Sequence, residues 1–231
     1  LAPGVIVREQ TNGVYDIHIR GFDNIIRTGG DYNKSNLITL VMIDNRPVFN
    51  NNLGGTFWES LPVDLNDVER IEIVRGPSAP PFGPNAVSGV INIITRKMGE
   101  DKTIANASLQ VGTPGTTIAN ASVGKTFGKW SVIASANTQQ RERFDSEYYQ
   151  NSTGNFVPGE EINSNFSTLF PNSDKATSKW GANGFIGYRA SEKVTLDLSV
   201  GTQSSQVQKV FIGGNGTKFS TNETVSSYAN I

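Results

Sequence analysis

ERIEIVRGPSAPPFGPNAVSGVINIITRK, residues Glu69 to Lys97, is the stretch that decides the fold of this chain. Two runs rich in β-branched residues, Ile71 to Val74 and Val87 to Thr95, flank a segment dense in glycine and proline. Apolar runs bounded by turn residues are typical of buried strands. Glycine permits a positive φ or a close backbone approach, and proline fixes φ and removes a donor. The segment between the runs is therefore predicted to be a rigid loop that is not helical over any length.

Three motifs in this order resemble the plug domain of TonB-dependent outer-membrane receptors. They are IHIRGFDN (Ile17 to Asn24), LVMIDNRPV (Leu40 to Val48) and the stretch quoted above. The resemblance covers roughly the first 98 residues and departs from the family at APPF (79–82), where the family more often has a short helical turn. Pro81 is predicted to oppose such a turn, because proline lacks the donor that a helix interior needs.

The composition of the whole chain excludes several classes of protein. The 231 residues carry 20 basic and 21 acidic side chains, which gives no basic surplus for a nucleic-acid partner. There is no cysteine, and His18 is the single histidine, so disulfides, most zinc motifs and most catalytic triads are excluded. No run approaches the roughly 20 apolar residues of a membrane-spanning helix. We expect neither an enzyme nor a cofactor or metal site.

The pattern up to about Met98 is that of a small α+β unit. A turn is predicted at Asn45-Arg46, and Asp64 to Val68 is predicted to be a short helix with acidic residues at its positive end. The predicted strands of this unit are Val5 to Arg8, Tyr15 to Arg20, Leu37 to Ile43, Pro47 to Phe49, Arg70 to Arg75 and Gly89 to Thr95.

After Gly99 the chain changes to segments in which apolar and polar residues alternate strictly. Alternation with a period of two predicts half-buried strands. Phe185 interrupts the polar face of the fourth segment. The five apolar series are Ala105 to Val111, Ala119 to Val123, Trp130 to Ala136, Trp180 to Tyr188 and Val194 to Val200. Alternation alone fits a soluble β-sandwich as well as a barrel, and the plug resemblance favours the barrel.

The lengths of the connections also fit a barrel, in which short turns lie on the periplasmic side and longer loops lie outside. Gly128-Lys129 and Ala190 to Lys193 are tight connections, whereas Arg141 to Lys179 is long and polar. If the first strand runs outward, both tight turns fall inside and the long loop falls outside. The resemblance therefore implies two domains: residues 1–98 as a plug that lacks its N-terminal part, and residues 99–231 as the first five to six antiparallel strands of a transmembrane β-barrel.

A barrel wide enough to hold a plug needs about 22 strands. The chain ends at Ile231 in a sequence that we interpret as a loop. We therefore expect the sequence to be a fragment of a longer protein.

Two arginines are candidates for contact between plug and barrel. In the resembled family, the arginines that match Arg20 and Arg75 pair with glutamates of the barrel wall. A guanidinium suits this role because its fork makes two directed bonds to a carboxylate and stays charged when partly buried. The alternative is that each arginine pairs locally with a neighbouring carboxylate. Those carboxylates are Asp16, Asp23 and Glu72.

The remaining candidate residues are backbone glycines and the residues of two loops. Gly21, Gly76, Gly83 and Gly89 are expected to shape the plug backbone. The loops 24–34 and 49–58 are expected to contact ligand, because aromatic residues among polar neighbours can grip a bulky molecule. Their candidates are Arg27, Tyr32, Phe49, Phe57 and Trp58. For Phe57 and Trp58 the alternative is that they anchor the loop to the plug's own core.

The resemblance implies a transporter of the bacterial outer membrane that takes up a scarce nutrient. The expected cargo is a ferric siderophore, with cobalamin, haem or a glycan as the other candidates. The implied partners are TonB with its inner-membrane complex, outer-membrane lipid, and a surface lipoprotein. The alternative function is a surface receptor or adhesin that binds a glycan or another ligand without transport.

Overall fold

The computed structural model describes residues 2–11, 14–20, 38–48, 55–98, 103–150, 152–213 and 216–231. The candidates Gly21, Arg27, Tyr32 and Phe49 lie outside the described residues. Among the residues that are described, no helix combines the length and the apolar character needed to cross a membrane.

The N-terminal unit is built around a four-stranded sheet with the order β4-β3-β6-β5. Strands β3 and β6 pair in parallel, and the other neighbours are antiparallel. A separate antiparallel hairpin is formed by β1 and β2. The strand bounds are β1 Val5–Thr11, β2 Val14–Ile19, β3 Thr39–Ile43, β4 Arg46–Pro47, β5 Val68–Arg75 and β6 Gly89–Thr95.

The apolar runs of β3 and β6 form the core of this unit, as their composition predicts. Both strands are buried on two faces, which is why they read as continuous apolar runs rather than as alternating ones. Ile19 of β2 packs against one face of the sheet and Ala86 against the other. The first cluster contains Ile19, Val41, Ile43, Ile91 and Ile93, and the second contains Leu40, Met42, Ala86 and Val90.

The local predictions for the connecting segments are wrong in three places. Ala79–Phe82 does form one helical turn, α1, closed by the Phe82 N–H donating to the Ser78 carbonyl at 3.2 Å. Pro81 does not oppose the turn, because Pro80 and Pro81 lie in its first turn, where the backbone N–H groups have no intrahelical partner. The helix predicted from Asp64 to Val68 is a 3-10 turn over Leu65–Asp67. The turn predicted at Asn45-Arg46 lies one residue earlier, where Asp44 and Asn45 both have positive φ.

The second half forms one antiparallel sheet of six strands, the large sheet, in the order β14-β13-β12-β9-β8-β7. The sheet is not closed. Residues that we interpreted as a loop at the end of the chain instead form β14, because the backbone of 216–230 pairs with β13 along its length. The strand bounds are β7 Thr103–Gly112, β8 Thr116–Phe127, β9 Trp130–Glu142, β12 Lys175–Arg189, β13 Thr195–Gly213 and β14 Gly216–Asn230.

The long connection between β9 and β12 is shorter than predicted and has structure of its own. It contains a hairpin of β10 (Glu147–Gln150) and β11 (Asn155–Pro158), followed by the helical turns α2 (Gly159–Ile162) and α3 (Phe166–Leu169). Tyr148 and Phe166 pack with ring centroids 5.0 Å apart, and the Arg143 guanidinium lies 4.2 Å from the centre of the Tyr148 ring.

The large sheet exposes its apolar face and buries its polar face, which is the opposite of the arrangement in a soluble β-sandwich. On one face the apolar side chains are uncovered: Leu109 is 70% exposed and Leu196 is 56% exposed. On the other face polar side chains are buried against the N-terminal unit, and Asn183 is only 6% exposed. A sheet of a soluble protein places its apolar face against the core. This sheet therefore suits an apolar surrounding outside and a polar, water-filled lumen inside.

Candidate functional site: the contact between the N-terminal unit and the large sheet

The polar row is a line of residues, all polar except for one glycine, that crosses the whole large sheet on the face that meets the N-terminal unit. Each strand contributes one residue, and neighbouring members of the row are direct cross-strand partners. In strand order from β7 to β14 the row is Asn106, Ser122, Ser135, Asn183, Gly201 and Tyr228. Because side chains alternate between faces, in-register pairing places all six on the same side.

Asp67 of the N-terminal unit binds the middle of this row. Its Oδ2 atom accepts hydrogen bonds from Ser135 Oγ at 2.6 Å and from Asn183 Nδ2 at 3.1 Å. The side chain is only 3% exposed. Burial raises the pKa of the Asp67 carboxyl, and the two hydrogen bonds lower it in part.

The backbone around Asp67 is fixed on both sides. The Asp67 N–H donates to the Asp64 carbonyl at 2.9 Å, and the Arg96 N–H donates to the Asp67 carbonyl at 2.6 Å. The Asp64 side chain caps the 3-10 turn by accepting from the Asn66 N–H at 2.9 Å. From the sequence, Asp67 was only one acid in a short acidic helix, and no local signal singles it out as the residue that reaches the sheet.

Further contacts between the N-terminal unit and the large sheet are also polar. Gln203 Nε2 donates to the Glu59 carbonyl at 2.9 Å, and Lys97 forms an ion pair with Asp197. Arg141 Nη1 donates to the Tyr15 hydroxyl at 3.0 Å. Net contributions of about 1 kcal/mol per neutral hydrogen bond make such a contact easier to break locally than an apolar core.

One apolar pair lies on the same face. Phe185, which interrupts the polar face of its strand, is the cross-strand partner of the buried Ile133. The interruption seen in the sequence therefore matches an apolar spot on the side that faces the N-terminal unit.

Arg20 and Arg75 are both exposed, and the Arg20 guanidinium lies beside Gly76, the residue that follows Arg75. Arg75 Nη1 donates to the Pro3 carbonyl at 2.8 Å, and the Arg20 N–H donates to the Gly4 carbonyl at 2.8 Å. Neither guanidinium forms an ion pair with a carboxylate in the described part of the chain. Glu72, one proposed local partner, accepts instead from Arg70 Nε at 2.8 Å.

Three of the predicted backbone glycines are described, and each has a positive φ: Gly76 +106°, Gly83 +92° and Gly89 +156°. Gly89 also allows close packing, because a Cβ atom there would lie 2.3 Å from the Val74 carbonyl oxygen of the paired strand. At Gly83 nothing lies within 4 Å of that position, so only the backbone angle requires glycine.

Phe57 and Trp58 are the described members of the predicted ligand loops. Trp58 packs against the apolar cluster around Ile19 and Val41, and its indole Nε1 is buried without a hydrogen-bond partner among the described residues. Phe57 is half-buried immediately before a 3-10 turn at Trp58–Ser60. The structure thus brings Trp58 to the core rather than to the loop surface.

Comparison with protein families gives a match to the sequence pattern of the TonB-dependent Receptor Plug Domain over residues 1–90. A ferric enterobactin receptor of Pseudomonas aeruginosa is 35% identical over 102 residues, which are 39% of this chain and 13% of that protein. The vitamin B12 transporter BtuB of Vibrio vulnificus is 27% identical over 134 residues, which are 57% of this chain and 22% of that protein. The chain therefore spans less than a quarter of the length of these relatives.

Solved structures share the fold over almost the whole chain. The copper transporter OprC superposes with a TM-score of 0.63 at 15% identity, covering 98% of this chain and 30% of its own. The ferric yersiniabactin uptake receptor FyuA of Yersinia pestis superposes with a TM-score of 0.60 at 16% identity, covering 93% of this chain and 29% of its own. At such identities the likeness supports the architecture of a plug followed by antiparallel barrel strands, and it says nothing of cargo.

Proposed function

We propose that this chain, whose residues 1–90 match the plug-domain pattern, is part of a TonB-dependent receptor of the bacterial outer membrane that actively takes up a scarce nutrient. A ferric siderophore is the favoured cargo. In this proposal the N-terminal unit, residues 1–98, is the plug, and the large sheet is part of the barrel wall. Energy reaches the plug through TonB, its inner-membrane partner.

The observation that carries the proposal is the polarity of the large sheet. Its apolar face is uncovered and its polar face meets the plug, so the strands are arranged for lipid outside and a plugged aqueous lumen inside. Contacts such as Asp67 to Asn183 hold the plug by hydrogen bonds rather than by apolar packing, and both side chains can bond to water once the plug has moved away from the wall. A plug held in this way can be displaced without exposing a large apolar surface, which is what a gate requires.

The choice of cargo is supported by the names of relatives. Besides the enterobactin receptor of Pseudomonas aeruginosa, the ferrienterobactin receptor of Escherichia coli is 39% identical over 71 residues. The longest of the cited alignments is to a cobalamin transporter, so cobalamin is the second candidate.

Within this function, Arg20 and Arg75 are proposed to pair with glutamates of the barrel wall. The exposure of both side chains on the plug supports that role. The loops 24–34 and 49–58 are proposed to contact the cargo, and Phe57 and Trp58 are their aromatic residues that the structure describes. Outer-membrane lipid and a surface lipoprotein complete the proposed partners.

A deletion strain of the source bacterium tests the proposal. The strain is grown with a ferric catecholate siderophore as the only iron source, or with cobalamin under conditions that require it. Loss of growth, restored by the wild-type gene only when TonB is present, supports active uptake. Ligand binding at the cell surface with no TonB-dependent uptake would overturn it in favour of a receptor or adhesin that does not transport.

A further inference from the structure

Two side chains of the polar row meet across an intervening strand. Asn183 on β12 and Tyr228 on β14 are both cross-strand partners of Gly201 on β13. The Tyr228 hydroxyl donates to Asn183 Oδ1 at 3.3 Å, directly over Gly201. A Cβ atom at position 201 would lie 2.0 Å from Asn183 Oδ1 and 2.4 Å from Tyr228 Cε1. The contact between β12 and β14 therefore needs glycine at this position.

Both ends of this contact are attached to the plug. Asn183 Nδ2 donates to Asp67, and the Arg46 guanidinium lies 4.9 Å from the centre of the Tyr228 ring. Arg46 Nη1 also reaches the Ala229 carbonyl at 3.4 Å. The connection thus runs from the plug at Asp67 through the wall and back to the plug at Arg46.

The orientation of the Asn183 amide is set by its partners. An ionised Asp67 can only accept hydrogen bonds, so the amide nitrogen must face it, and the amide oxygen is left for the Tyr228 hydroxyl. If the Asn183 amide were flipped by 180°, its Oδ1 atom would face Asp67 Oδ2, and the two acceptor oxygens would repel each other. Because Asn183 is buried, a lost partner is not readily replaced by water.

We propose that Arg46, Asp67, Asn183 and Tyr228 form a latch that seats the plug against the wall, and that Gly201 is the positioning residue that lets the latch close. The latch is separate from Arg20 and Arg75, neither of which contacts a latch residue within the described structure. The proposal concerns how the plug is seated and does not depend on which cargo is carried.

The test uses the full-length receptor purified from outer membranes and placed in planar lipid bilayers, where displacement of the plug appears as ion conductance. Gly201→Ala and Asn183→Ala should each raise the fraction of time spent conducting by about tenfold. Tyr228→Phe, which removes only the hydroxyl, should give a smaller rise. Gly184→Ala is the matched control on the neighbouring strand, because a Cβ there meets only Val200 Cγ2, at an ordinary 3.5 Å.

The double variant Gly201→Ala with Asn183→Ala distinguishes one latch from two independent sites. If both residues act in the same latch, the double variant should conduct no more than either single variant. Full additivity, or a Gly201→Ala protein that conducts as little as Gly184→Ala, would overturn the proposal. If Gly201→Ala does not assemble into the membrane, Tyr228→Phe decides instead, and conductance equal to the wild type then counts against the latch.

Discussion

Asn183 and Asp67 are 116 positions apart in the sequence, and a buried hydrogen bond of 3.1 Å joins their side chains across the boundary between wall and plug. Asn183 lies in β12 of the large sheet, whereas Asp67 ends the 3-10 turn Leu65–Asp67 of the plug, and each is held by its own backbone contacts. The bond therefore reports directly on whether the plug is seated. Removing one partner of such a buried pair costs about 1–3 kcal/mol, whereas an exposed pair contributes little.

The first prediction concerns the pH dependence of plug seating. Burial raises the pKa of Asp67, so between its ordinary and raised pKa the seated state binds more protons than the released state. Protonation of Asp67 therefore stabilises the seated plug: this effect is fully present below the ordinary pKa of an aspartate and is lost as pH rises through the raised pKa of Asp67. Asp67→Asn, which has nearly the same shape and no charge, should flatten this part of the profile. The measurement is plug opening, followed by bilayer conductance over about pH 3 to 7.

Nearby groups also shape the Asp67 titration. Asp64 raises the pKa of Asp67 and Arg96 lowers it, in addition to the larger effects of burial, Ser135 and Asn183. Asp67→Ala is the contrasting variant, because it leaves Ser135 and Asn183 without their acceptor and should weaken seating at every pH. Identical pH profiles for wild type and Asp67→Asn would contradict the assignment.

The second prediction separates two reasons for glycine in the plug. Gly89→Ala should destabilise the pairing of β5 with β6 by about 3 kcal/mol. The new methyl group would clash with the Val74 carbonyl oxygen, and alanine would also have to adopt an unfavourable positive φ. Gly83→Ala adds only the unfavourable φ and should cost about 1 kcal/mol. Amide hydrogen exchange of the two strands measures both values, and equal effects would refute the role of the close approach.

The third prediction tests which face of the large sheet meets lipid. Leu109→Arg places a charge on the apolar face and should destabilise the membrane-inserted state by about 2–4 kcal/mol if the site is near the midplane. Gln110→Arg is the matched control on the opposite face of the same strand and should have little effect. Folding titrations in lipid vesicles give both free energies. Equal losses would argue that the faces are not lipid and lumen.

The fourth prediction concerns Arg75, whose guanidinium holds the backbone at Pro3. Arg75→Ala should speed amide exchange in β1, Val5–Thr11, by about fivefold, which is the loss of roughly one hydrogen bond. Arg70 lies in the same strand, and its exposed ion pairs with Glu69 and Glu72 should contribute almost nothing. Arg70→Ala should therefore leave the exchange of β1 unchanged, and a similar change in both variants would contradict a specific tether.

Much of the fold could be predicted from the sequence because its signals are local. The apolar run of β6 and the alternation of β7, β8 and β9 follow directly from periods that the backbone imposes. Residues 216–230 do not show a strand pattern in the sequence because they contain few apolar residues. Their strand is fixed by pairing with β13, which is a long-range contact that no local pattern contains.

The candidate site was less accessible to prediction for the same reason. The motif arginines were identified by resemblance, but Asp67 carries no distinguishing local pattern and becomes special only when Ser135 and Asn183 are brought to it. Gly201 likewise looks like an ordinary strand glycine until its two neighbours are known. Which side chains become neighbours on different strands depends on the pairing register of those strands, and this register cannot be predicted from the sequence of one strand alone.

The sequence by itself determined that a segment with glycine-proline bends between apolar strands precedes strands with one apolar and one polar face, because glycine, proline and the period of two act within a few residues. Only the tertiary structure decided that the polar face turns toward the plug, and which residues hold it there. That choice rests on burial and pairing between segments more than 100 residues apart, as for Asp67 and Asn183, and such contacts exist only once the chain has folded.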